Sequence, residues 1–321
     1  MNYIIILFLL SIITFAYYRY AIKTNILDNP SARSSHTTPT VRGGGIVFFL
    51  AVLLFFIWQL KVDYPYFLSG FLLLSIIGFI DDKKNLSPKA RFPFQLLAIA
   101  LILYQAGLFN HELPIYLQIT GFIVAVGFVN AFNFMDGING ITGFYTTAII
   151  IPLYFINRQY QLLQNEWFYV MLISIVVFGY FNFRKKALMF AGDIGSMALA
   201  ALLLFWLSKT MIDTKSPLLL VFVAVYGIDS AWTIIYRLKN HENIFEAHRW
   251  HLYQKFVDIW QWSHLKVAGL YAGVQLLISF AVLNLIEKPI SIQLSIVIGI
   301  YLIFSVIYFI AQKYFKTQTK V

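Results

Sequence analysis

Uninterrupted apolar runs recur along the whole chain, each of about 17–22 residues and therefore long enough to cross a hydrocarbon core about 30 Å thick. Hydrophobic residues make up 60% of the 321 positions and charged residues only 12%, whereas soluble domains carry roughly 25% charged residues. The sequence therefore predicts an all-α protein, a polytopic transmembrane helix bundle that forms one membrane domain over residues 1–321.

The apolar runs predict eleven spans and an orientation. The first run has no basic residue before it and no convincing small-residue cleavage site, so we expect a retained span rather than a signal peptide. With a periplasmic N-terminus, 19 of the 24 lysines and arginines fall in one set of loops. The positive-inside rule then predicts a cytoplasmic C-terminus, and the net charge of +10 needs no nucleic-acid partner. The predicted spans lie near residues 3–20, 45–60, 65–80, 92–109, 116–133, 138–156, 167–182, 195–210, 217–236, 265–285 and 290–311.

Four acidic side chains lie at the ends of these runs, in a chain with only 14 acids. They are Asp81 and Asp82 in GFIDD, Asp136 in NAFNFMDG and Asp193 in FAGDIGS. An ionised group costs roughly 2.5–3.5 kcal/mol at mid-bilayer, so such groups usually mark function. We expect them to gather at the cytoplasmic face, where a metal ion and a phosphate could meet. The absence of cysteine excludes disulfides and thiolate metal sites.

Two basic loops flank the first acids. DNPSARSSHTTPTVRGGG, residues 28–45, carries Arg33, His36 and three glycines that open the second span. Backbone N–H groups of a glycine-rich turn can bind phosphate, and glycines also permit close helix packing; the sequence leaves both interpretations open. In the next loop, Lys89 and Arg91 are placed to contact lipid headgroups or a substrate phosphate.

Adjacent acids at a helix end cannot point in the same direction, so Asp81 and Asp82 suit distinct roles, such as proton acceptor and metal contact. Asn133 and Asp136 follow each other at a spacing of three, which places both on one side of the fifth span. Such a pair could hold a ribose, a base edge or the water shell of a metal. Asp193 at a helix N-terminus would suit Mg²⁺, although helix capping alone also favours aspartate there.

The last polar loop contains HRWHLYQ, residues 248–254. His248 and His251 could bind zinc together with Glu246, but too few ligands lie close, and His248, Arg249 and His251 are instead expected to donate hydrogen bonds to a diphosphate and to sugar hydroxyls. A transporter or lipid flippase is the rival class. It would place its polar residues near the bilayer midplane, and Asp229 is the main acid that could fit that pattern.

Several motifs together resemble those of the polyprenyl-phosphate N-acetylhexosamine-1-phosphate transferases of glycosyltransferase family 4. They are IDD at 80–82, LSPKARFPFQ at 86–95, NAFNFMDG at 130–137 and FAGDIGS at 190–196, with the first loop also similar. The resemblance extends over about residues 1–270. Two departures concern the sugar: HRWHLYQ is more like the loop of members that handle deoxy-amino sugars for O-antigen or capsule, and a basic run at 184–186 replaces a common proline pair.

The resemblance implies a reaction and a set of roles. A HexNAc-1-phosphate would pass from a UDP-sugar, either UDP-N-acetylglucosamine or a 6-deoxy HexNAc nucleotide, to undecaprenyl phosphate with release of UMP. The implied cofactor is Mg²⁺, with Mn²⁺ as an alternative, and a homodimer is left open. By this resemblance Asp193 binds the metal with support from Asp82, and Asp81 accepts a proton. The nucleotide side is implied for Asn133, Asp136 and Phe190, and the sugar and diphosphate side for His248, Arg249 and His251.

Overall fold

A computed structural model describes residues 2–30, 38–243 and 249–318. The described chain is almost entirely helical, as predicted, with one short antiparallel pair of strands, β1 Leu27–Asp28 and β2 Thr40–Val41. A 3₁₀ segment, Pro217–Val223, leads directly into α9. The α-helices are α1 Tyr3–Lys23, α2 Ile46–Gln59, α3 Pro65–Lys84, α4 Pro88–Ala106, α5 Ile115–Phe134, α6 Ile141–Tyr160, α7 Asn165–Asn182, α8 Gly192–Asp213, α9 Ala224–Lys239, α10 Leu252–Asp258, α11 His264–Val282 and α12 Ile290–Gln318.

Each of the eleven apolar runs falls on a long helix or, for the ninth, on the 3₁₀ segment and α9 together. Among the described residues, seven helical segments are long and apolar enough to cross a membrane, and α2 is a shorter apolar helix. The number of helices that cross and their orientation stay predictions. The seven are Tyr3–Lys23, Pro65–Lys84, Ile115–Phe134, Gly192–Asp213, Pro217–Lys239, His264–Leu285 and Ile290–Lys316.

The outer surface of the bundle is apolar. Ile12 on α1, Ile123 on α5 and Leu302 on α12 are each 60% exposed or more. A soluble monomer rarely exposes a continuous apolar surface of this extent. Together with the hydropathy of the helices, this surface indicates a multi-pass membrane protein whose outer face contacts lipid.

Helix α8 forms the centre of the bundle, because every residue from Ile194 to Ser208 is buried. It packs against α2, α3, α4 and α5. Small residues in its first half, including Gly195 and Ala198, let neighbouring backbones approach closely. Bulky aromatic side chains, including Trp167 and Trp206 with ring centroids 5.4 Å apart, fill the core toward its other end. The close contacts thus lie at the N-terminal end of α8, which carries Asp193.

Helix α4 shows how local sequence sets the ends of these helices. Ser87 accepts a hydrogen bond from the Ala90 N–H, and Pro88 occupies the first helical position, where its missing N–H costs nothing. The helix ends at Gly107, which takes the left-handed conformation. This start places Arg91 in the first turns of α4, at the same end of the bundle as the C-terminus of α3.

Candidate active site

The structure brings Asp81, Asp82 and Asp193 together, and we call these three the carboxylate cluster. Asp81 and Asp82 lie in the last turn of α3, and Asp193 lies in the first turn of α8. The helices can approach because Gly78 has no side chain: a Cβ there would lie 2.6 Å from the Asp193 carbonyl oxygen. The close approach of α3 and α8 at Gly78 therefore brings Asp193 next to Asp81 and Asp82, although it lies over 100 positions away in the sequence.

Two arginines form ion pairs with the cluster, and the first is Arg91. Its Nη1 donates hydrogen bonds to Asp81 and, over 2.8 Å, to Oδ2 of Asp193. The other oxygen of Asp81 accepts from the Leu86 N–H at 2.5 Å. The Nε atom of Arg91 is buried and has no hydrogen-bond partner among the described residues. Arg91 thus bridges α3 and α8 and keeps one donor that a phosphate oxygen could satisfy.

The second cation is Arg42, from the segment before α2. Its Nε donates to Oδ1 of Asp82 at 2.8 Å, and its Nη2 lies 3.6 Å from Oδ1 of Asp193. Burial acts to lower the pKa of Arg42, but the Asp82 and Asp193 carboxylates outweigh burial, so its pKa is raised. Arg42 therefore stays charged beside the cluster.

Asp82 serves as a helix cap. Its side chain is fully buried, and it accepts the N–H groups of Asp193 at 2.8 Å and Ile194 at 3.1 Å. These are N–H groups of the first turn of α8, which have no partner within the helix. Gly192 makes the approach possible, since it has a φ of +71° and a Cβ there would lie 2.5 Å from the carboxylate. Both Asp82 oxygens are thus committed to protein donors.

The glycine turn before α2 uses its N–H groups for packing. Gly44 donates to the Phe190 carbonyl oxygen at 2.8 Å, and Gly45 donates to that of Ala191 at 2.9 Å. A Cβ on Gly45 would lie 2.2 Å from Cα of Gly195. Of the two interpretations left open by the sequence, close packing accounts for Gly44 and Gly45, because their donors are not available to a phosphate.

A polar pocket of about 260 Å³ opens beside the cluster. Four predicted site residues line it, namely Asn133, Asp136, Phe190 and Asp193. Asn133 donates to Oδ1 of Asp193 at 3.1 Å and to the hydroxyl of Ser196 at 2.8 Å, which orients its amide. The remaining lining residues are Asp28, Arg42, Gly137, Ile138, Asn139, Asn182, Ala191, Gly192, Gln254 and His264.

Asp136 lies in the loop between α5 and α6 and is held by the hydroxyl of Thr142. Burial raises the pKa of Asp136 to about 6, although the Thr142 hydrogen bond works against the rise. The carboxyl group can therefore change protonation near neutral pH, which an exposed aspartate does not do.

Sequence reasoning missed Asn139, Asn182 and His264, which also line the pocket. Asn182, at the end of α7, accepts the Gly140 N–H at 2.7 Å and donates to the Met189 carbonyl oxygen at 2.8 Å. It thereby ties the Asp136 loop to the segment before α8. Asn139 shares the NAFNFMDGING stretch with two predicted residues, and that proximity was the available signal. Asn182 lies in the stretch FNFRKKALMFAGDIGS around Asp193, which was the available signal for it, whereas His264 had none.

Other predicted residues lie away from the pocket. Lys89 is exposed on α4. Arg249 forms a two-pronged ion pair with Asp258, with distances of 2.9 and 2.5 Å. His251 is buried with its Nδ1 3.4 Å from Asp229. Their substrate-binding roles stay predictions. Arg33, His36 and His248 fall outside the described residues.

Asp229 organises the segment that carries Arg249 and His251. This buried carboxylate accepts hydrogen bonds from the Leu252 N–H at 2.8 Å and the Tyr253 N–H at 3.3 Å. The Tyr271 hydroxyl donates to it at 2.7 Å. Asp229 therefore anchors the N-terminus of α10 to α9 and α11, which accounts for this acid without a transport pathway.

The oxygen donors at the pocket fit a magnesium ion only in part. Within the described ranges, no group of three or more metal-ligating side chains is arranged to hold a metal ion. Mg²⁺ commonly takes one or two carboxylates and completes its shell with waters and substrate phosphates. Asp193 fits this use because it faces the pocket, whereas Asp82 is enclosed by its own hydrogen bonds.

The fold and the site define a multi-pass membrane protein with a charged pocket, built from carboxylates, amides and guanidinium groups, at the ends of its helices. A profile of glycosyl transferase family 4 matches residues 64–211, a range that contains Asp81, Arg91, Asp136 and Asp193. Over this range the chain is similar to the members of that family.

Relatives with assigned names agree with the family. A probable undecaprenyl-phosphate N-acetylglucosaminyl 1-phosphate transferase of Bacillus subtilis (strain 168) is 25% identical over 94% of this chain and 88% of its own length. The phospho-N-acetylmuramoyl-pentapeptide-transferase of Thermotoga neapolitana is 27% identical over 82% of this chain and 86% of its own length. That of Deinococcus radiodurans is 31% identical over 54% of this chain and 62% of its own length.

Proposed function

We propose that this protein transfers an N-acetylhexosamine 1-phosphate from a UDP-sugar to undecaprenyl phosphate at the cytoplasmic face of a bacterial inner membrane. The products would be UMP and an undecaprenyl-diphospho-sugar, the first lipid intermediate of a cell-envelope polysaccharide. The observation that carries the proposal is the position of Asp193, which lies on the polar pocket and contacts Arg91 and Asn133.

Charge repulsion is the main obstacle in such a reaction, because both reactants are anions. The second pKa of a phosphate monoester is near about 6, so most of the nucleophile is already ionised at neutral pH. Screening of the repulsion and in-line placement of the reacting atoms then dominate the barrier. Arg42 and Arg91 provide fixed positive charge beside the pocket. A magnesium ion held by Asp193, when bound, would add further screening of the phosphate charges.

The other side of the pocket suits a nucleotide. Phe190 offers a ring on which a base could stack, an interaction worth roughly 1–3 kcal/mol per base. Asn133 and Asp136 offer amide and carboxyl groups to a base edge or a ribose. This division assigns the uridine to Phe190 and Asp136, and the diphosphate to the arginines and Asp193.

The sugar is the finer part of the proposal. UDP-N-acetylglucosamine is supported by the Bacillus subtilis relative, whose similarity covers nearly the whole chain. The Thermotoga neapolitana relative is named for a muramoyl-pentapeptide substrate, which makes UDP-N-acetylmuramoyl-pentapeptide a second candidate. A 6-deoxy HexNAc nucleotide, with an O-antigen or capsule product, rests only on the HRWHLYQ loop.

The test is UMP release by the purified full-length protein with each sugar nucleotide, in the presence and absence of undecaprenyl phosphate and Mg²⁺. We expect release only when donor and acceptor are both present. We expect Asp193→Asn to lower the rate by about 100-fold or more, because it removes the carboxylate that would hold Mg²⁺ and that pairs with Arg91 beside the phosphates. Asp81→Asn should cost less, since proton removal is a minor part of the barrier.

Asp213→Asn is the matched control, because Asp213 lies at the other end of the same helix and pairs with Lys209 near the surface. Normal activity of Asp193→Asn together with an inactive Asp81→Asn would contradict the ranking of the two acids. Transport of a solute without UMP release would contradict the transferase and support the rival transporter class.

A further inference from the structure

An apolar groove on the outside of the bundle has no role in the proposed transfer. It lies between α6, α7 and α11 and has a volume of about 370 Å³. Phe144 and Ile151 line it from α6, Ile175 and Val176 from α7, and Gly273 from α11. An apolar cavity of about 150 Å³ can hold a benzene molecule, so this groove has room for a longer hydrocarbon.

The groove opens toward lipid and is hollow because two of its α11 residues, Ala272 and Gly273, are small. Val176 is 66% exposed. A Cβ built on Gly273 would meet no atom within 4 Å. The hydroxyl of Thr147, the polar side chain in the lining, donates to the Gly143 carbonyl oxygen at 2.8 Å. The groove therefore presents a hydrocarbon surface without an unmet hydrogen bond.

The length of the groove matches one leaflet of a bilayer. It begins at Phe144 and Phe183, near the end of the bundle that carries the polar pocket. Along α7 it extends from Phe183 to Leu172, eleven residues away, which is about 16 Å at 1.5 Å per residue. This depth is half of a hydrocarbon core of about 30 Å, which is the reach of a phospholipid acyl chain.

Two lysines lie within three residues of Phe183, which lines the groove. Lys185 and Lys186 follow Phe183 in the turn between α7 and α8, and both are exposed. Neither side chain makes an ion pair or a hydrogen bond to another described residue. Positive charge directly beyond a hydrocarbon groove of one-leaflet length is complementary to an anionic lipid headgroup.

We propose that this groove binds an acyl chain of an anionic glycerophospholipid, whose headgroup is held by Lys185 and Lys186. The acceptor lipid is a less suitable occupant, because Arg91 belongs to α4, which packs against α3, α5 and α8, whereas the groove is built from α6, α7 and α11. The site is thus separate from the transfer reaction and does not depend on it.

The bound lipid would stabilise the polar pocket through the turn between α7 and α8, which carries Lys185 and Lys186. Asn139, which lines the pocket, donates to the carbonyl oxygens of Arg184 at 2.9 Å and Lys185 at 3.2 Å. A headgroup that restrains Lys185 restrains the same turn. The lipid is therefore expected to raise the thermal stability of the protein as well as to bind.

The test uses native mass spectrometry of the full-length protein in detergent, titrated with palmitoyl-oleoyl phosphatidylglycerol or phosphatidylcholine, together with the thermal midpoint in each lipid. We expect phosphatidylglycerol to bind at least tenfold more tightly and to raise the midpoint. Lys185→Gln with Lys186→Gln should weaken it about 25-fold, since each lysine near an anionic lipid contributes roughly fivefold. The control Lys239→Gln with Lys313→Gln removes two exposed lysines elsewhere and should leave binding unchanged.

Gly273→Leu tests the groove itself, because it fills the open space and leucine favours a helix more than glycine does. We expect at least tenfold weaker binding, with no change for Gly299→Leu on α12, where a Cβ also meets nothing within 4 Å. Equal binding of the two phospholipids, or unchanged binding in the lysine or Gly273 variants, would overturn the proposal. Displacement of phosphatidylglycerol by an equal concentration of undecaprenyl phosphate would also overturn it, by assigning the groove to the acceptor.

Discussion

Replacement of Asp82 separates a structural role from a metal-binding role. In the structure this carboxylate caps α8 through the N–H groups of Asp193 and Ile194 and pairs with Arg42. If Asp82 acts as a cap, its removal destabilises the protein whether or not a metal ion is bound. If it acts as a metal ligand, its removal lowers Mg²⁺ affinity and leaves the metal-free protein intact.

The size of the effect follows from the bonds that are lost. Loss of a cap costs about 1 kcal/mol. Loss of one partner from a fully buried ion pair costs about 3–5 kcal/mol, but Arg42 is 26% exposed and keeps Asn85 and Asp193 as partners. We therefore expect about 2–3 kcal/mol for Asp82→Ala, from the cap and a reduced share of the ion pair. Asp82→Asn should cost about half as much, because one acceptor oxygen remains.

The assay is thermal unfolding of the purified protein in detergent with EDTA, followed by tryptophan fluorescence. At about 2 °C per kcal/mol for a chain of this size, Asp82→Ala should lower the midpoint by about 4–6 °C. Asp63→Asn removes an acid that pairs with the exposed Lys61 and should change the midpoint by less than about 1 °C. A wild-type midpoint in EDTA together with weakened Mg²⁺ binding would refute the cap and restore the metal-ligand interpretation.

Three further outcomes are expected. Burial raises the pKa of Asp136 from 3.8 to about 6. The contribution of the protonated carboxyl group to stability is therefore fully present below about pH 4 and is lost as the pH rises to about 6. In urea titrations, Asp136→Asn should remove this pH dependence and should be more stable than the wild type at pH 7. Asp229→Asn should increase proteolytic cleavage near α10, because it weakens the acceptor of the Leu252 and Tyr253 N–H groups, whereas the surface variant Asp258→Asn should not. Phe190→Ala should raise the KM for the UDP-sugar about 10-fold or more with little change in kcat, as stacking on a base implies, and an unchanged KM would remove Phe190 from the nucleotide site.

Much of the helical framework could be predicted because hydrophobic runs of this length have few alternatives in lipid. All eleven predicted runs lie on helices, with ends within a few residues. The polar residues at the ends of the runs could also be predicted, because an acid or amide at the end of a span stands out from its apolar surroundings. One pocket is lined by Asn133, Asp136, Phe190 and Asp193.

The differences arise where partners come from distant sequence. The metal-support role of Asp82 stays a prediction, but its contact with a helix that begins 110 residues later could not be predicted, because no local pattern encodes that pairing. The sequence could not decide between phosphate binding and packing for Gly44 and Gly45, because the segment before α8, which accepts their N–H groups, lies far away in the chain. The role of Asn182 could not be predicted, because it depends on the hydrogen bond from Gly140 in a loop that is distant in sequence.

The sequence by itself determined that this is an all-α membrane protein with a small set of charged groups at helix ends, because hydrophobicity and helix length act locally along the chain. Only the tertiary structure decided which structural or chemical role each of those charged groups has. Whether a carboxylate caps a helix, pairs with an arginine or faces a pocket depends on which backbones approach closely, and that approach is set by contacts such as those of Gly78 and Gly45 with α8.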